Sequence, residues 1–312
     1  MEQAGAVQTS CTSGLLIRDR CRLTACKRDD AVMMKRLCSA LLLATCFSAA
    51  SALAHPSEDD PATAHFLANE AILVTSGETR ILFDPLFSVS YGYPLVAPEV
   101  RAAIMAGTPP FDGVDAVFVS HVHGDHFDAA AVNAYLAAHP DVILVGPWQA
   151  RLDMQSADGW DAAFEARIHA LPFIASPQEL VLAADGVADA IRVETVHIPH
   201  AGGAGRAGIQ NMAHRVTLNG EATVMHMGDA TTETAIYETH HDHFQARTSQ
   251  HAFPPYWLIG EWGGDATRAR LNADAVTGIH LGNNHPAWIA QSEDDFFTEA
   301  GETRPIPAHS HD

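Results

Sequence analysis

The stretch that decides this chain's fold is Val114-Asp115-Ala116-Val117-Phe118-Val119, followed by Ser120-His121-Val122-His123-Gly124-Asp125-His126-Phe127-Asp128. The first six residues form a short, mostly apolar run that predicts a buried β-strand. Successive strand residues point to opposite faces, so His121 and His123 leave the strand's end on the same side. Gly124 permits a sharp turn, and Asp125 and His126 come round as a second pair. Three imidazoles and one carboxylate in so short a span make a donor set that suits Zn2+ first, with Mn2+ or Fe2+ as further options. The chain contains 19 His, so histidine density alone signals nothing. The strand-then-turn context singles out this stretch.

Downstream, Asp128 is a good N-cap for a helix over Ala129 to Ala138, and Pro140 stops it. Val142 to Val145 predicts the next strand. Residues 148–190 mix a short helix, a strand and Gly or Pro breaks. Ile191 to Val196 predicts a strand leading into His197-Ile198-Pro199-His200-Ala201-Gly202-Gly203. Ala213 to Leu218 and Ala222 to Met227 predict a hairpin around Asn219-Gly220, a strong turn signal, ending in Gly228-Asp229. Tyr256 to Gly260 reads as a buried strand and Ala266 to Ala273 as a short helix. Ala275 to Ile279 leads to His280-Leu281-Gly282. Upstream, His65 to Thr75 and Arg80 to Phe83 read as the two arms of one hairpin closed by Asp84-Pro85. Leu86 to Pro98 reads as a loop whose Phe87, Tyr91 and Tyr93 either line a pocket mouth or pack.

The N-terminal part carries a different signal. Met33-Met34-Lys35-Arg36 is a basic start, Leu37 to Ala50 an apolar segment, and Ala52-Leu53-Ala54 a cleavage site. Together they predict a secretory signal peptide over 33–54, too short to span a membrane. Residues 1–32 are then a non-native or dispensable extension, 55–312 is a single domain, and the location is periplasmic or secreted. All five Cys precede His55, so the mature part has neither a Cys nucleophile nor a Cys ligand. Seven of 18 basic and four of 38 acidic residues also precede His55, leaving 11 Arg against 34 carboxylates, a net charge of −23. A chain this acidic is repelled by phosphate backbones and anionic lipid. Nucleic acid and stable membrane association are therefore excluded as partners, and a small-molecule substrate is expected. Oligomeric state is not legible.

The motif His-x-His-x-Asp-His at the end of an apolar strand resembles the metallo-β-lactamase superfamily, and the later motifs follow in that family's order. The resemblance implies a four-layer αββα sandwich and two divalent metal ions, most simply Zn2+. It assigns His121, His123 and His200 to the first ion and Asp125, His126 and His280 to the second. Asp229 bridges them, and Asp84 braces the loop from below. His197 remains the alternative to His200, and His285 the alternative to His280. A hydroxide held between the ions would attack an ester, lactone or phosphodiester; Asp125, His197 and His285 are the candidate catalytic groups, with His226 a further proton donor. The Gly-rich third loop and His280-Leu281-Gly282 resemble the branch containing L-ascorbate-6-phosphate lactonase and N-acyl-phosphatidylethanolamine phospholipase D. True metallo-β-lactamases carry Cys or Ser in place of Asp229, which disfavours a periplasmic β-lactamase. A non-catalytic metal-binding protein is the other reading. Thr239-His240-His241-Asp242-His243 lacks a preceding apolar strand and reads as a solvated helix end, and His309-Ser310-His311 as a flexible tail.

Overall fold

The computed structural model describes residues 61–184 and 186–307. The signal segment, the extension, all five Cys and the tail histidines lie outside them. Among the described residues no helix is long and apolar enough to cross a membrane.

The first sheet contains β1 (Ala62–Ala68), β2 (Ala71–Ser76), β3 (Thr79–Phe83), β4 (Val114–Phe118), β5 (Ile143–Pro147), β6 (Ile168–Leu171) and β14 (Thr303–Ile306), in the order β14-β1-β2-β3-β4-β5-β6. The second contains β7 (Gln178–Ala184), β8 (Val187–His197), β9 (Met212–Leu218), β10 (Ala222–His226), β11 (Ser249–Phe253), β12 (Ala273–Gly278) and β13 (Asp295–Phe296), in the order β13-β12-β11-β10-β9-β8-β7. Each sheet is antiparallel over one half, β14 to β3 and β7 to β10, and parallel over the other.

The central strands β2, β3 and β4 read as mostly apolar runs because both of their faces are buried. Ile72, Val74, Ile81, Phe83, Ala116 and Phe118 face inward and meet Ile191, Val193, Val216, Val224 and Phe253 of the second sheet. Their neighbours Leu73, Leu82 and Val117 face outward, under helices α1 (Pro98–Ala106), α2 (Ala129–Ala138) and α3 (Trp148–Ser156). Across the molecule, Val196, Met225, Ala252 and Val276 lie beneath α4 (Thr234–Thr239), α5 (His241–Gln245), α6 (Tyr256–Trp262) and α7 (Gly264–Leu271). The result is an αββα sandwich of two mixed sheets. Asp128 caps α2 by accepting from the Ala131 N–H, and Asn219-Gly220, both with positive φ, close the β9–β10 hairpin.

Two expectations are corrected. Tyr256 to Gly260 is not a strand but the body of α6: Pro255 stands at its N-cap, and Leu258 and Ile259 bury one side while Glu261 is exposed. A five-residue apolar run has no periodicity to separate the two readings. The arm over His65 to Thr75 is two antiparallel strands, β1 and β2, broken by a turn at Asn69-Glu70 where Asn69 takes φ +49°. In addition α1, opened by Pro98, occupies what sequence reading left unassigned.

Candidate metal centre

The carboxyl ends of β3, β4, β8, β10 and β12 and the β1–β2 turn meet at one end of the sandwich. β3, β4, β10 and β12 run parallel within their sheets, and such strand ends are where open sheets place ligands. From β4 come His121, His123, Asp125 and His126; β8 leads to His200, β10 to Asp229 and β12 to His280.

The donors form two groups that share Asp229. In the first, His123 Nδ1 lies 3.1 Å from His121 Nε2 and 2.9 Å from His200 Nε2, and Asp229 Oδ2 lies 3.0 Å from His200 Nε2. In the second, His126 Nε2 and His280 Nε2 are 3.1 Å apart, and Asp229 Oδ1 lies 3.4 Å from one and 2.9 Å from the other. Asp125 Oδ2 stands slightly farther out, 3.7 Å from His126 and 3.6 Å from His280. Each oxygen of Asp229 thus addresses a different set of imidazoles.

Electrostatics agree with a cation site. Burial, reinforced by His126, holds His121 well below the ordinary imidazole value, and burial with His200 and Arg206 brings His123 down to about 4. Both are therefore neutral at physiological pH, with lone pairs free to ligate. Burial alone would lower His126, but Asp229 and Glu70 beside it push it well above the ordinary value. Asp229 is held well below the carboxylate range, against the cost of burial, by His280 and His126. Buried carboxylates that draw protons onto neighbouring imidazoles are carboxylates in need of positive charge. Divalent ions between these donors supply it, so the residues fit the group.

The supports are as specific as the donors. Asp84, at φ +40°, accepts from the Ser120 N–H and hydroxyl and lies 2.9 Å from His126 Nδ1, so it fixes both the start of the loop and one ring. Asn211 accepts from the Asp229 N–H while its amide donates to the Ile198 and Met227 carbonyls, tying the His200 loop to the Asp229 loop. Gly228 has φ +53°, and a Cβ there would collide with Asn211 and Ser120. His280 itself sits at φ +64°, backbone strain of the kind that clusters at functional sites.

Glu70 was missed by sequence reading. It is 0% exposed, neither carboxylate oxygen has a hydrogen-bond partner, and Oε2 lies 3.5 Å from His126 Nδ1 and 3.6 Å from His226 Nε2. Burial pushes its carboxyl well above the usual range. It joins His126, Asp229 and His280 as a group whose donor atoms lie within 4.8 Å of one another. The only signal for it was Asn69, a residue that tolerates the left-handed turn.

Of the other candidates, His226 adjoins the centre, in a cluster with Glu70 and Asp84, and the rest lie elsewhere. His197 packs edge-on against Phe173, with ring centroids 4.2 Å apart, and burial lowers it to about 4. His285 is exposed and borders a separate depression beside Ile289 and Phe296. His226 is buried, stacked on Phe83, with Nε2 3.0 Å from the Glu70 carbonyl oxygen. His241 and Asp242 are exposed at the start of α5, and His240 to His243 belong to none of the metal-suited clusters among the described residues. Phe87 lies in the core beneath α1, whereas Tyr91 and Tyr93 line the cleft above the donors with Trp257 and Arg206. The cleft measures about 580 Å³, the size of a small-molecule site.

The profile of the β-lactamase superfamily domain matches residues 63–250. Among solved structures, the chain is similar to a metallo hydrolase from Ignicoccus hospitalis, at 16% identity over 78% of this chain and 98% of that one, with a TM-score of 0.54. A possible metal-dependent hydrolase from Veillonella parvula matches at 18% identity over 79% and 99%, with a TM-score of 0.54. An isothiocyanate hydrolase from Delia radicum gut bacteria matches at 16% identity over 79% and 100%, with a TM-score of 0.53. At these identities the likeness is one of fold. No curated protein matches the sequence significantly.

Proposed function

Because this chain belongs to the β-lactamase superfamily of metal-dependent hydrolases, we propose that it is a dinuclear hydrolase, most simply a zinc enzyme, acting on an ester, lactone or phosphodiester bond in a small molecule. One observation carries the reading: the two oxygens of Asp229 face two separate imidazole sets, with Oδ2 toward His200 and His121 and Oδ1 toward His280 and His126. A storage site has no need of a carboxylate shared in this way.

Two divalent ions bound here would supply Lewis-acid polarisation of the substrate oxygen and a water nucleophile at neutral pH. The chain's own residues do the rest. His121, His123 and His200 would present ring nitrogens to one ion. His126, His280 and Asp125 serve the other, with Asp84 fixing the ring of His126. Asp125 borders the cleft, where the carboxylate oxygen not given to the ion would take up a proton and return it. Tyr93, raised to about 12 by burial and by Asp229 and Asp125, keeps its hydroxyl proton at working pH and offers it as a hydrogen bond. Export is part of the same reading, resting on the basic start at Met33-Met34 and the Ala52-Leu53-Ala54 site. Protein isolated from its source then begins at His55, and an intact Met1 overturns export.

The test is metal analysis of unchelated protein together with turnover on chromogenic esters, lactones, phosphodiesters and a cephalosporin. About two ions per chain and hydrolysis outside the cephalosporin support the proposal. Tight metal binding with no turnover favours the binding-protein reading instead.

A further inference from the structure

The described residues contain eleven arginines. Ten of them have a partner suited to a guanidinium: a carboxylate or backbone carbonyl in nine cases, and the face of Trp262 for Arg270. Arg206 has none of these among the described residues. Its Nη1 instead lies 3.2 Å from His123 Nδ1, at the mouth of the metal centre. In a chain with 38 acidic residues against 18 basic ones, a guanidinium with no carboxylate, carbonyl or aromatic face for a partner is out of keeping with its surroundings.

The loop is shaped around this side chain. From Ala201 to Gly208 every residue other than Arg206 is Gly or Ala, so although Ala201 and Gly202 also line the cleft, no other side chain of the loop brings a polar group to it. Gly202, at φ +100°, clears the arginine's path, because a Cβ there would stand 3.1 Å from Arg206 Cγ. Arg206 is the only Lys or Arg among the cleft's lining residues, and Tyr91, Tyr93 and Trp257 form an aromatic wall beside it.

The contact with His123 cannot persist when that ring holds a metal ion. The ring's lone pair is then spent, and the guanidinium faces a cation across the open cleft. An anion between them satisfies both, and a guanidinium is the side chain best matched to a carboxylate or phosphate. We propose that Arg206 is the anion-recognition residue of the cleft, and that the substrate carries a carboxylate or phosphate group close to the bond that is cleaved. The word substrate here rests on the hydrolase reading; the anion site itself does not.

Calorimetric titration of inorganic phosphate and of succinate into metal-loaded protein tests this directly. Wild type is expected to bind at least one of the two, and Arg206→Gln to bind it about tenfold more weakly or worse, the loss of one charge-assisted hydrogen-bonding group. Arg206→Lys, which keeps the charge but not the fork, is expected to fall between them. Preference for phosphate or for succinate tells which anion the substrate carries. The residue is exposed, so the variants are expected to melt as wild type does. Equal affinity in Arg206→Gln and wild type, or no binding of either anion by wild type, overturns the inference. Anion binding that depends on Arg206 in a wild-type protein that hydrolyses nothing would instead leave this site standing and remove the hydrolase reading.

Discussion

Two stretches of this chain have nearly the same composition and opposite fates. His121-Val-His-Gly-Asp-His126 is held at a strand end, with His121 and His126 fully buried and every side chain but Val122 within reach of another donor. His240-His241-Asp242-His243 spans the junction of α4 and α5, with His241 and Asp242 in solvent and only a 3.5 Å contact between them. The difference is not the donors but what backs them. Behind the first stretch stand Asp84, Asn69, which donates to the Asp125 carbonyl, and His214, with Nε2 3.1 Å from the Val119 carbonyl oxygen. Behind the second, buried Arg215 donates to the His243 carbonyl oxygen, while the side chains of His241 and Asp242 stand in solvent with nothing to fix them toward a common point. Donors become a site when buried polar groups fix their directions, because a fixed donor gives up little entropy on binding a metal ion.

The comparison breaks most visibly at His121. Replacing it with Ala is expected to strip metal from the first group and lower any hydrolytic rate by orders of magnitude, as read by elemental analysis and turnover. Retained metal and rate would mean that the buried stretch is no more a site than the exposed one.

Acid sharpens the same contrast. Burial lowers His214 to about 4, while unfolded His takes its proton near 6.5. Between these values the unfolded chain binds more protons, so stability present above pH about 6.5 is lost as pH falls toward 4, by up to about 3 kcal/mol from this residue. Urea unfolding of the metal-free protein at pH 7 and pH 4.5 measures it, and His214→Gln is expected to remove this residue's share of a dependence that His197, His243 and His251, also lowered to about 4, continue to carry.

Glu70 gives an effect that changes sign. Buried, with no hydrogen bond to either carboxylate oxygen, it costs stability without metal and would lend negative charge with metal. Glu70→Gln is expected to raise the melting temperature in chelator and to weaken binding of the second ion about 10- to 100-fold. A variant that is weaker in both conditions would assign Glu70 a purely structural part. At the small end, His241→Ala is expected to change stability by less than about 0.5 kcal/mol and metal content not at all.

How much of this was legible follows the same division. The β4 strand, the Asp128 cap and the Asn219-Gly220 hairpin could be read because each depends on a few adjacent residues. His200 and His280 could be placed only through the resemblance, since nothing local separates them from His197 and His285. The fold separates them: His200 follows β8 and bridges to Ala230 beside Asp229, whereas His197, still on the strand, turns to Phe173. Glu70 was hidden because His65 to Thr75 alternates well enough to pass as one strand, and only the positive φ at Asn69 makes the turn that delivers the carboxylate. Asn211 and Arg206 carry no motif; their parts come from tertiary contacts between loops far apart in sequence. In α6, tertiary burial of one side outweighed an apolar run that looks like a strand.

The central claim is that Asp229 joins two metal positions, and the metal content of Asp229→Ala tests it most directly. Without the shared carboxylate, the second ion loses the anion that offsets repulsion from the first, while His121, His123 and His200 remain to hold one. Elemental analysis of unchelated proteins is expected to give about two ions per chain for wild type and about one for Asp229→Ala. Two ions and full activity in the variant would contradict the account.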